Sequence, residues 1–475
     1  MPLSSAYQPS TRHSELGPDF FDVVRPAEFP KHILRFRNQR WAARVGLDGL
    51  TEDEWEAHFA RFVPLQGSFT QPLALRYHGH QFRVYNPDIG DGRGFLFAQL
   101  HDSKDGRLLD LATKGSGRTP YSRSADGRLT LKGGVREILA AEMLEGLGVS
   151  TSKTFSLFET GEELKRSDEP SPTRASVLVR LSHSHIRIGT FQRFRVFGET
   201  HNAQRLLDHT VRTYMPEIWR DDLAERAIAF LDSVCRRVAR TGAQWLAAGF
   251  VHGVLNSDNI NVTGESFDYG PWRFVPVNDP DFTAAYFDEN GLYAFGKQPE
   301  ALHWNLLRLT ECLLPFAAQT ELERVLGQFE ANIRREFVAA ILNRLGLVSA
   351  GEAADGLLAR SMWSFLSETK APFEQTFFDC YGGLARTGRF DQSPSRVFYQ
   401  SESFAPLHAA LAAHKPTPTA KPFHPYFQKS APCTMLIDEV EAIWQPIDQA
   451  DDWSAFHAKL AAIAEMREAY GTGES

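Results

Sequence analysis

The chain lacks any long apolar run. No stretch approaches the roughly 18 uninterrupted apolar residues that a membrane-spanning helix needs. The opening segment, MPLSSAYQPSTRHSELGPDF, is polar and has no apolar signal-peptide core. We therefore expect a cytoplasmic protein without a membrane partner.

Cysteine is also scarce. The four cysteines are far apart and form no C-x-x-C pair, so neither a zinc site nor a disulfide scaffold is indicated. They are Cys235, Cys312, Cys380 and Cys433. This usage fits a reducing compartment.

Basic residues do not dominate the charge. The chain has 51 Lys and Arg against 59 Asp and Glu, a formal net charge of -8, which argues against a generally basic nucleic-acid surface. We expect no nucleic-acid partner, although a local basic pocket for a small anion stays compatible with this charge. With 475 residues, 43% of them hydrophobic, the chain has material for two lobes or domains, and we expect a monomer.

Hydrophobic periodicity predicts an α+β fold in which strands precede helices. Residues 1–75 read as an N-terminal extension with one helix at 52–62, for which Thr51 is the N-cap. Residues 76–199 read as a small strand-rich lobe, with three antiparallel strands at 82–85, 95–100 and 108–114, a helix at 135–147 and a strand at 175–181.

The remainder of the chain is predicted to be mainly helical. Residues 200–415 form a large lobe with helices at 222–248, 299–316, 321–345 and 354–366, interrupted by an irregular stretch at 250–280. A Pro-rich linker at 416–425 then leads into a helix at 435–469, so residues 416–475 are predicted to be a separate C-terminal segment.

A lysine and a glutamate stand in suggestive positions. Lys114 ends a predicted strand, and Glu137 falls in the first turn of the predicted helix that follows. In kinases, a strand lysine paired with a helix glutamate holds the nucleotide phosphates. The alternative is a surface lysine and a glutamate stabilised by the helix dipole, and the two residues alone favour this alternative.

Glycine-rich segments lie nearby. The GDGR segment at 90–93 falls between the first two predicted strands, where glycines let backbone N–H groups approach an anion and arginine binds phosphate. A plain hairpin turn is the alternative, and the residues alone favour it. The same caution applies to GSG at 115–117.

The strongest local signal is HGVLNSDN at 252–259, followed by FDYG at 267–270. In kinases with an H-G-D-x-x-x-x-N loop, the aspartate is the base, the asparagine binds metal and a later aspartate supplies a second ligand. Here Val254 occupies the base position, Asn259 and Asp268 keep the metal positions, and Asp258 is the only carboxylate of the loop. The alternative is an Asn/Asp-rich turn that caps backbone groups. The kinase-like order of these residues along the chain weakens that alternative.

Charged and titratable residues cluster at the end of the 175–181 strand and just after it. Arg180 and Arg187 are candidates for phosphate contacts, although two solvent-facing arginines are the favoured alternative on sequence alone. His183 and His185 have the spacing of metal ligands on a strand. No third ligand is evident, so we interpret both as structural histidines.

Several longer segments are specific enough to point to a family. They are YHGHQF at 77–82, GDGR, KGSGRTPYSR at 114–123, ADGR at 125–128, REI at 136–138, SHIRIGTF at 184–191, HGVLNSDN, DYGP at 268–271 and QPEALHWNLLRL at 298–309. Over residues 75–310 the chain thereby resembles the selenoprotein O family, also known as the YdiU family, of protein adenylyltransferases.

The resemblance implies a protein-kinase-like (pseudokinase) fold of two lobes that binds ATP in a flipped orientation. It implies transfer of AMP to Ser, Thr or Tyr hydroxyls of protein substrates, including the protein itself. Asp258 would be the base, Glu137 would pair with Lys114, and Asn259 and Asp268 would bind Mg2+ (or Mn2+). The implied nucleotide contacts are Gly90, Gly92, Arg93, Lys114, Asp126, Gly127, Arg180, Arg187 and Asp268.

The chain also departs from the family pattern. It has SRSADGR at 122–128 where the family usually has SRFADGR, and its C-terminal third diverges. The cysteine or selenocysteine that some members carry near the end has no counterpart in AYGTGES at 469–475, so the resemblance leaves open whether the family's redox control applies here. Two other functions stay open: an ATP-dependent kinase of a small molecule or protein that uses Asp258 as base, and an inactive nucleotide-binding scaffold.

Overall fold

The computed structural model describes residues 4–167 and 169–472. Residues 473–475 lie outside the described residues. They are part of the C-terminal end in which no cysteine corresponds to the one that some family members carry. The strands are β1 Pro9–Ser10, β2 Phe21–Val23, β3 Ile33–Arg37, β4 Leu73–Leu75, β5 Gly79–Gln81, β6 Val84–Asn86, β7 Leu96–His101, β8 Leu108–Lys114, β9 Leu129–Thr130, β10 Lys153–Leu164, β11 Thr173–Ser182, β12 Phe250–Val251 and β13 Arg273–Phe274.

The helices occupy most of the chain after β11. They are α1 Gln39–Arg44, α2 Glu52–Phe59, α3 Leu131–Gly146, α4 Ile188–Phe197, α5 Thr200–Tyr214, α6 Leu223–Ala248, α7 Gln298–Leu313, α8 Gln319–Leu326, α9 Phe329–Leu345, α10 Glu352–Thr369, α11 Phe373–Cys380, α12 Arg389–Gln392, α13 Arg396–Tyr399, α14 Phe404–Ala412, α15 Ile437–Ala450 and α16 Ser454–Tyr470. Among the described residues, no helix is long and apolar enough to cross a bilayer. The mixture of helices and antiparallel strands confirms the α+β class.

One antiparallel sheet organises the first part of the molecule. Its order is β2-β4-β7-β8-β11-β10-β3, with β1 paired to β7 and β9 paired to β11. Strands from residues 1–75 therefore belong to the same sheet as strands from residues 76–199. In the central pair of strands, Lys114 of β8 lies opposite Leu178 of β11, which brings Lys114 and Arg180 to the same end of the sheet.

The sheet is covered on both faces, because successive apolar side chains along its strands point to opposite faces and each face packs against its own core. In β11, Leu178 joins the core formed with α3, whereas Val177 and Val179 join the core formed with α1 and α2. Trp55 of α2 is fully buried in the second core and stacks on Phe155 at 5.2 Å. Burial of a side chain of this size contributes about 3 kcal/mol.

The C-terminal helices pack against α3. A Cβ on Gly146 would lie 2.6 Å from the Met466 side chain, so glycine permits the close approach of α16. Arg467 of α16 forms a buried ion pair with Glu142 of α3. Residues after the Pro-rich linker thus support the helix that carries Glu137.

The predicted helix ends that agree best with the structure are those with recognisable capping residues in the sequence. Asp222 accepts the Glu225 N–H at the start of α6, and Gly249, with φ of 64°, ends it. Strand β8 has the predicted bounds, and Thr51 caps α2 in a capping box as expected, although α2 ends at Phe59 rather than at residue 62.

Three segments differ from the predictions. The predicted strand at 82–85 is wrong, because Phe82 and Arg83 form the turn of the β5–β6 hairpin with φ of 50° and 64°. The predicted helix at 321–345 is divided around Gly327 into α8 and α9. The predicted helix at 435–469 is divided at Asp451, whose carboxylate accepts hydrogen bonds from Arg35 and Arg174.

The cysteines agree with the absence of a disulfide scaffold. All four are free, and three of them are buried. Burial raises the pKa of the Cys235 and Cys312 thiols to about 12, so both stay protonated and unreactive.

Candidate active site

A cleft of about 330 Å³ opens where the sheet meets the irregular stretch after α6. It is lined by residues from several separate parts of the chain, and most sequence-predicted site residues meet there. Those on its wall are Gly90, Gly92, Arg93, Lys114, Arg180, Arg187, Asp258 and Asp268.

Lys114 and Glu137 form a buried ion pair. Their residues are 6% and 2% exposed, so the surface-pair alternative is wrong. Glu137 is also not in the first turn of its helix, as had been predicted, because α3 begins at Leu131 with Thr130 as N-cap. The helix dipole consequently has little influence on Glu137, and Lys114 is its main electrostatic partner.

Asp268 is surrounded by three cations. Its Oδ1 accepts hydrogen bonds from Lys114 Nζ at 2.8 Å and Arg180 Nη1 at 3.2 Å, and Arg187 Nη1 lies 3.9 Å from Oδ2. Burial opposes ionisation, but the three positive charges hold the pKa of Asp268 well below its usual value. The residue also has a left-handed φ of 65°, which its surroundings must impose. We call these four residues the Asp268 cluster.

The two arginines of the cluster are buried, at 5% and 3% exposure, so the solvent-facing alternative is wrong. Both guanidinium groups lie against the Phe267 ring, with Arg180 at 5.0 Å and Arg187 at 4.9 Å from its centroid. Arg187 also faces the Tyr77 ring at 4.2 Å and lies 3.3 Å from Asp91. Stacking of this kind holds a guanidinium in place. Its N–H groups lie in the guanidinium plane and can still donate hydrogen bonds to other groups.

Asp258 lies in the cleft wall beside Arg187, whose Nη1 donates to the Asp258 carbonyl oxygen at 3.0 Å, and the residue is 8% exposed. A Cβ on Gly79 would lie 3.0 Å from its Oδ1, and that oxygen has no hydrogen-bond partner in the described part of the chain. Burial raises the pKa of Asp258 to about 6, although the nearby Arg187 charge opposes this shift. A carboxylate that titrates close to neutral pH is suited to accept a proton.

Asp268, one of the two predicted metal ligands, lies on the cleft wall, whereas Asn259, the other, is not among the residues that line the cleft. The Asn259 amide nitrogen donates to the Val254 carbonyl at 3.1 Å, which leaves the amide oxygen as the acceptor of this side chain. No group of three or more His, Cys, Asp or Glu side chains that could hold a metal ion occurs within residues 4–167 and 169–472. His185 is buried and His183 is partly buried, and desolvation lowers the pKa of both imidazoles.

The GDGR segment is a packed loop. A Cβ on Gly90 would lie 2.5 Å from the Tyr121 ring, and one on Gly94 would lie 2.1 Å from the Thr113 carbonyl oxygen. The hairpin alternative is wrong, because β6 pairs with β5 rather than with β7. The Asp91 carboxylate accepts the Leu75 N–H at 3.0 Å and closes the loop against β4.

Two predicted nucleotide contacts lie away from the cleft wall. Asp126 forms an ion pair with Arg166 at 2.7 Å. Gly127, with φ of 73°, packs against the Gly117 carbonyl, and only their neighbour Ala125 reaches the cleft. The roles of Asp126 and Gly127 as nucleotide contacts therefore stay predictions.

Several wall residues were not singled out from the sequence. Tyr77, Asp91 and Tyr121 line the cleft, and Phe267 lies behind it against the two arginines; each of the four lies within or beside a motif already noted. Their positions within or beside those motifs were the only feature of the sequence by which they could have been identified as site residues. Their contacts depend on the tertiary fold.

Known proteins are similar to this chain over nearly its whole length. The family model described as protein adenylyltransferase SelO matches residues 3–464. A protein nucleotidyltransferase YdiU from Synechocystis sp. is 43% identical over 96% of this chain and 97% of its own length. Proteins of the same name from Trichodesmium erythraeum and Gloeobacter violaceus are each 41% identical over 97% of this chain, and over 98% and 95% of their own lengths. The chain therefore belongs to the SelO family of protein adenylyltransferases and is a nucleotidyltransferase.

Proposed function

We propose that the protein transfers AMP from ATP to Ser, Thr or Tyr hydroxyls of protein substrates, itself included, and releases pyrophosphate. The supporting observation is that Asp258, the only carboxylate of loop 252–259, opens on the same cleft as the Asp268 cluster. A proton acceptor and a group of phosphate-binding cations thus line one cleft.

In the proposed reaction, the hydroxyl oxygen attacks the α-phosphorus and forms a new P–O bond. The bond from the α-phosphorus to the bridging oxygen breaks, and its electron pair leaves with pyrophosphate. The hydroxyl proton passes to Asp258, whose pKa of about 6 leaves it mostly ionised at neutral pH. The charges of Lys114, Arg180 and Arg187 stabilise the departing pyrophosphate. The flipped ATP orientation is the one that directs the α-phosphate, rather than the γ-phosphate, toward Asp258.

The donor set fits Mg2+ (or Mn2+). Mg2+ takes oxygen ligands and is usually held by one or two carboxylates together with substrate phosphates and water. The Asp268 carboxylate, which stays ionised, and the Asn259 amide oxygen meet that description. When bound, the ion supplies positive charge that neutralises the phosphates, and the cations of the Asp268 cluster then contact the remaining phosphate oxygens.

We also propose a kinase-like arrangement of two lobes, at 76–199 and 200–415, with an extension at 1–75 and a C-terminal segment at 416–475. The buried Lys114–Glu137 pair between sheet and helix supports this arrangement, as does the origin of Asn259 and Asp268 in the stretch after α6. Gly90, Gly92 and Arg93 are further proposed nucleotide contacts, with Asp126 and Gly127 at the margin. The free cysteines are compatible with a cytoplasmic location.

The decisive experiment compares ATP labelled at the α-phosphate with ATP labelled at the γ-phosphate. We expect α label, and no γ label, to appear on the protein itself or on a protein acceptor in the presence of Mg2+. The Asp258→Asn variant should transfer the α label much more slowly than the parent, because it retains the shape of the side chain without a basic oxygen.

Transfer of the γ label would instead establish a kinase that uses Asp258, which is the second candidate. Absence of both labels with intact ATP binding would favour an inactive scaffold. Membership of an enzyme family makes that last outcome the least supported.

A further inference from the structure

The Arg180 guanidinium has two defined partners within the cleft wall. Its Nη1 donates to Asp268 at 3.2 Å, and its Nε donates to Nε2 of His185 at 3.2 Å. Arg180 projects from β11, whereas His185 lies in the segment between β11 and α4. The hydrogen bond to His185 fixes Nε of the guanidinium, and the hydrogen bond to Asp268 fixes Nη1.

The contact with Arg180 determines the proton arrangement of His185. An arginine side chain has only donors, so Nε2 of His185 must carry the lone pair and the ring proton must be on Nδ1. That Nδ1 lies 3.3 Å from Oδ2 of Asp110, which can only accept when ionised. Protonation of Nε2 would place two donors face to face. Burial lowers the pKa of His185, which is consistent with a neutral ring.

Asp110 is itself held rigidly inside the sheet. It is fully buried in β8, and its Oδ1 accepts hydrogen bonds from Gln99 Nε2 at 2.7 Å and from the Tyr214 hydroxyl at 3.4 Å. These partners come from β7 and α5, so Asp110 is fixed by two elements outside the cleft. A continuous chain of hydrogen bonds thus runs from Asp110 through His185 and Arg180 to Asp268.

We propose that His185, oriented by Asp110, is the positioning residue for Arg180 and thereby directs the remaining guanidinium N–H groups toward the nucleotide phosphates. This rests on the proposed function, in which Arg180 contacts phosphate. Of the five N–H groups of Arg180, one is committed to His185 and one to Asp268, so three stay available. Without an acceptor at Nε2, the guanidinium can rotate about its long side chain, and its alignment with the phosphates is lost.

Two substitutions separate positioning from packing. His185→Gln places an amide oxygen near the position of Nε2 and keeps an acceptor for Arg180, whereas His185→Phe keeps ring volume and removes the acceptor. We expect His185→Phe to weaken ATP binding about tenfold, as the loss of a hydrogen bond to a charged group does, and to leave AMP binding unchanged. His185→Gln should restore most of the preference for ATP over AMP.

His183→Phe is the matched control. His183 lies two residues away and packs against the Tyr214 ring at 5.5 Å. We expect this variant to bind ATP and AMP as the parent does. If His185→Gln is as impaired as His185→Phe, or if His185→Phe binds ATP like the parent, the positioning role is wrong. Equal loss of ATP and AMP binding would likewise show a general structural role.

A spectroscopic measurement tests the arrangement without nucleotide. In ¹⁵N-histidine-labelled protein at pH 7, we expect the His185 ring to show a protonated Nδ1 and an unprotonated Nε2, with the signal assigned by its loss in His185→Gln. A proton on Nε2 would overturn the proposal. If the parent shows no preference for ATP over AMP while the ring has the expected tautomer, the proposed function fails and the orientation of Arg180 by His185 stands.

Discussion

His13 is a histidine that the folded protein cannot readily protonate. The residue is only 4% exposed, and neither nitrogen of its ring has a hydrogen-bond partner within the described residues. Burial lowers the pKa of His13 to about 4, although the nearby Asp110 charge opposes this shift. Its backbone N–H donates to the Gln99 side chain, so His13 belongs to the same region of the core as Asp110.

The shift makes the folded state sensitive to acid. In the unfolded chain a histidine titrates near pH 6.5, so acid protonates the unfolded state first. The stabilisation from keeping His13 neutral is fully present above about pH 6.5 and is lost as the pH falls toward 4. At pH 5.5 the loss amounts to about 1.4 kcal/mol, and its limit at lower pH is about 3.4 kcal/mol.

The test compares parent and His13→Leu by urea unfolding, followed by tryptophan fluorescence at pH 7.5 and pH 5.5. Leucine fills a similar volume and does not titrate. We expect the parent to lose about 1.4 kcal/mol more of its unfolding free energy than His13→Leu between the two pH values. The other buried histidines remain in both proteins and largely cancel in the comparison.

The exposed His201 offers a control, since His201→Leu should lose stability in parallel with the parent. The reasoning is refuted if His13→Leu and the parent show the same change in unfolding free energy between pH 7.5 and pH 5.5. That result would mean that His13 is protonated in the folded state as readily as in the unfolded chain.

Three further predictions concern the cleft. Asp268→Ala should abolish the stimulation of ATP binding by Mg2+, measured by calorimetry with and without the ion; retained stimulation would contradict the metal assignment. Asp258→Asn should slow AMP transfer about 100-fold or more while ATP still binds, because a general base is removed; transfer at the parent rate would exclude Asp258 as base. Gly90→Ala should weaken ATP binding, since its Cβ would lie 2.5 Å from the Tyr121 ring, whereas Gly49→Ala, whose Cβ meets no atom within 4 Å, should not; equal affinities would show that the glycine loop adapts freely.

Local signals in the chain were sufficient for many elements of the fold. Helix α6 has both of its ends marked, by Asp222 and Gly249, because capping uses residues adjacent to the helix itself. The β5–β6 hairpin was missed for the converse reason. Its turn residues, Phe82 and Arg83, adopt a left-handed conformation that such side chains rarely choose, so no turn signal was present.

The candidate site was predictable in its residue types and only partly in its geometry. Lys114, Asp258 and Asp268 were identified from motif order. Their environment was not, since Lys114 and Asp268 are 154 residues apart and meet only through the folded chain. For the same reason the sequence favoured a solvent-facing Arg180, whereas the structure buries it against Phe267.

By itself the sequence determined which chemical groups the protein has and the family to which it belongs, because both depend on residue identity and order. Only the tertiary structure decided the state of those groups: the raised pKa of Asp258, the ionised Asp268 among three cations, and His185 as an acceptor for Arg180. Desolvation and Coulomb interactions depend on burial and on distances of a few ångströms, which the sheet and the packed helices determine together.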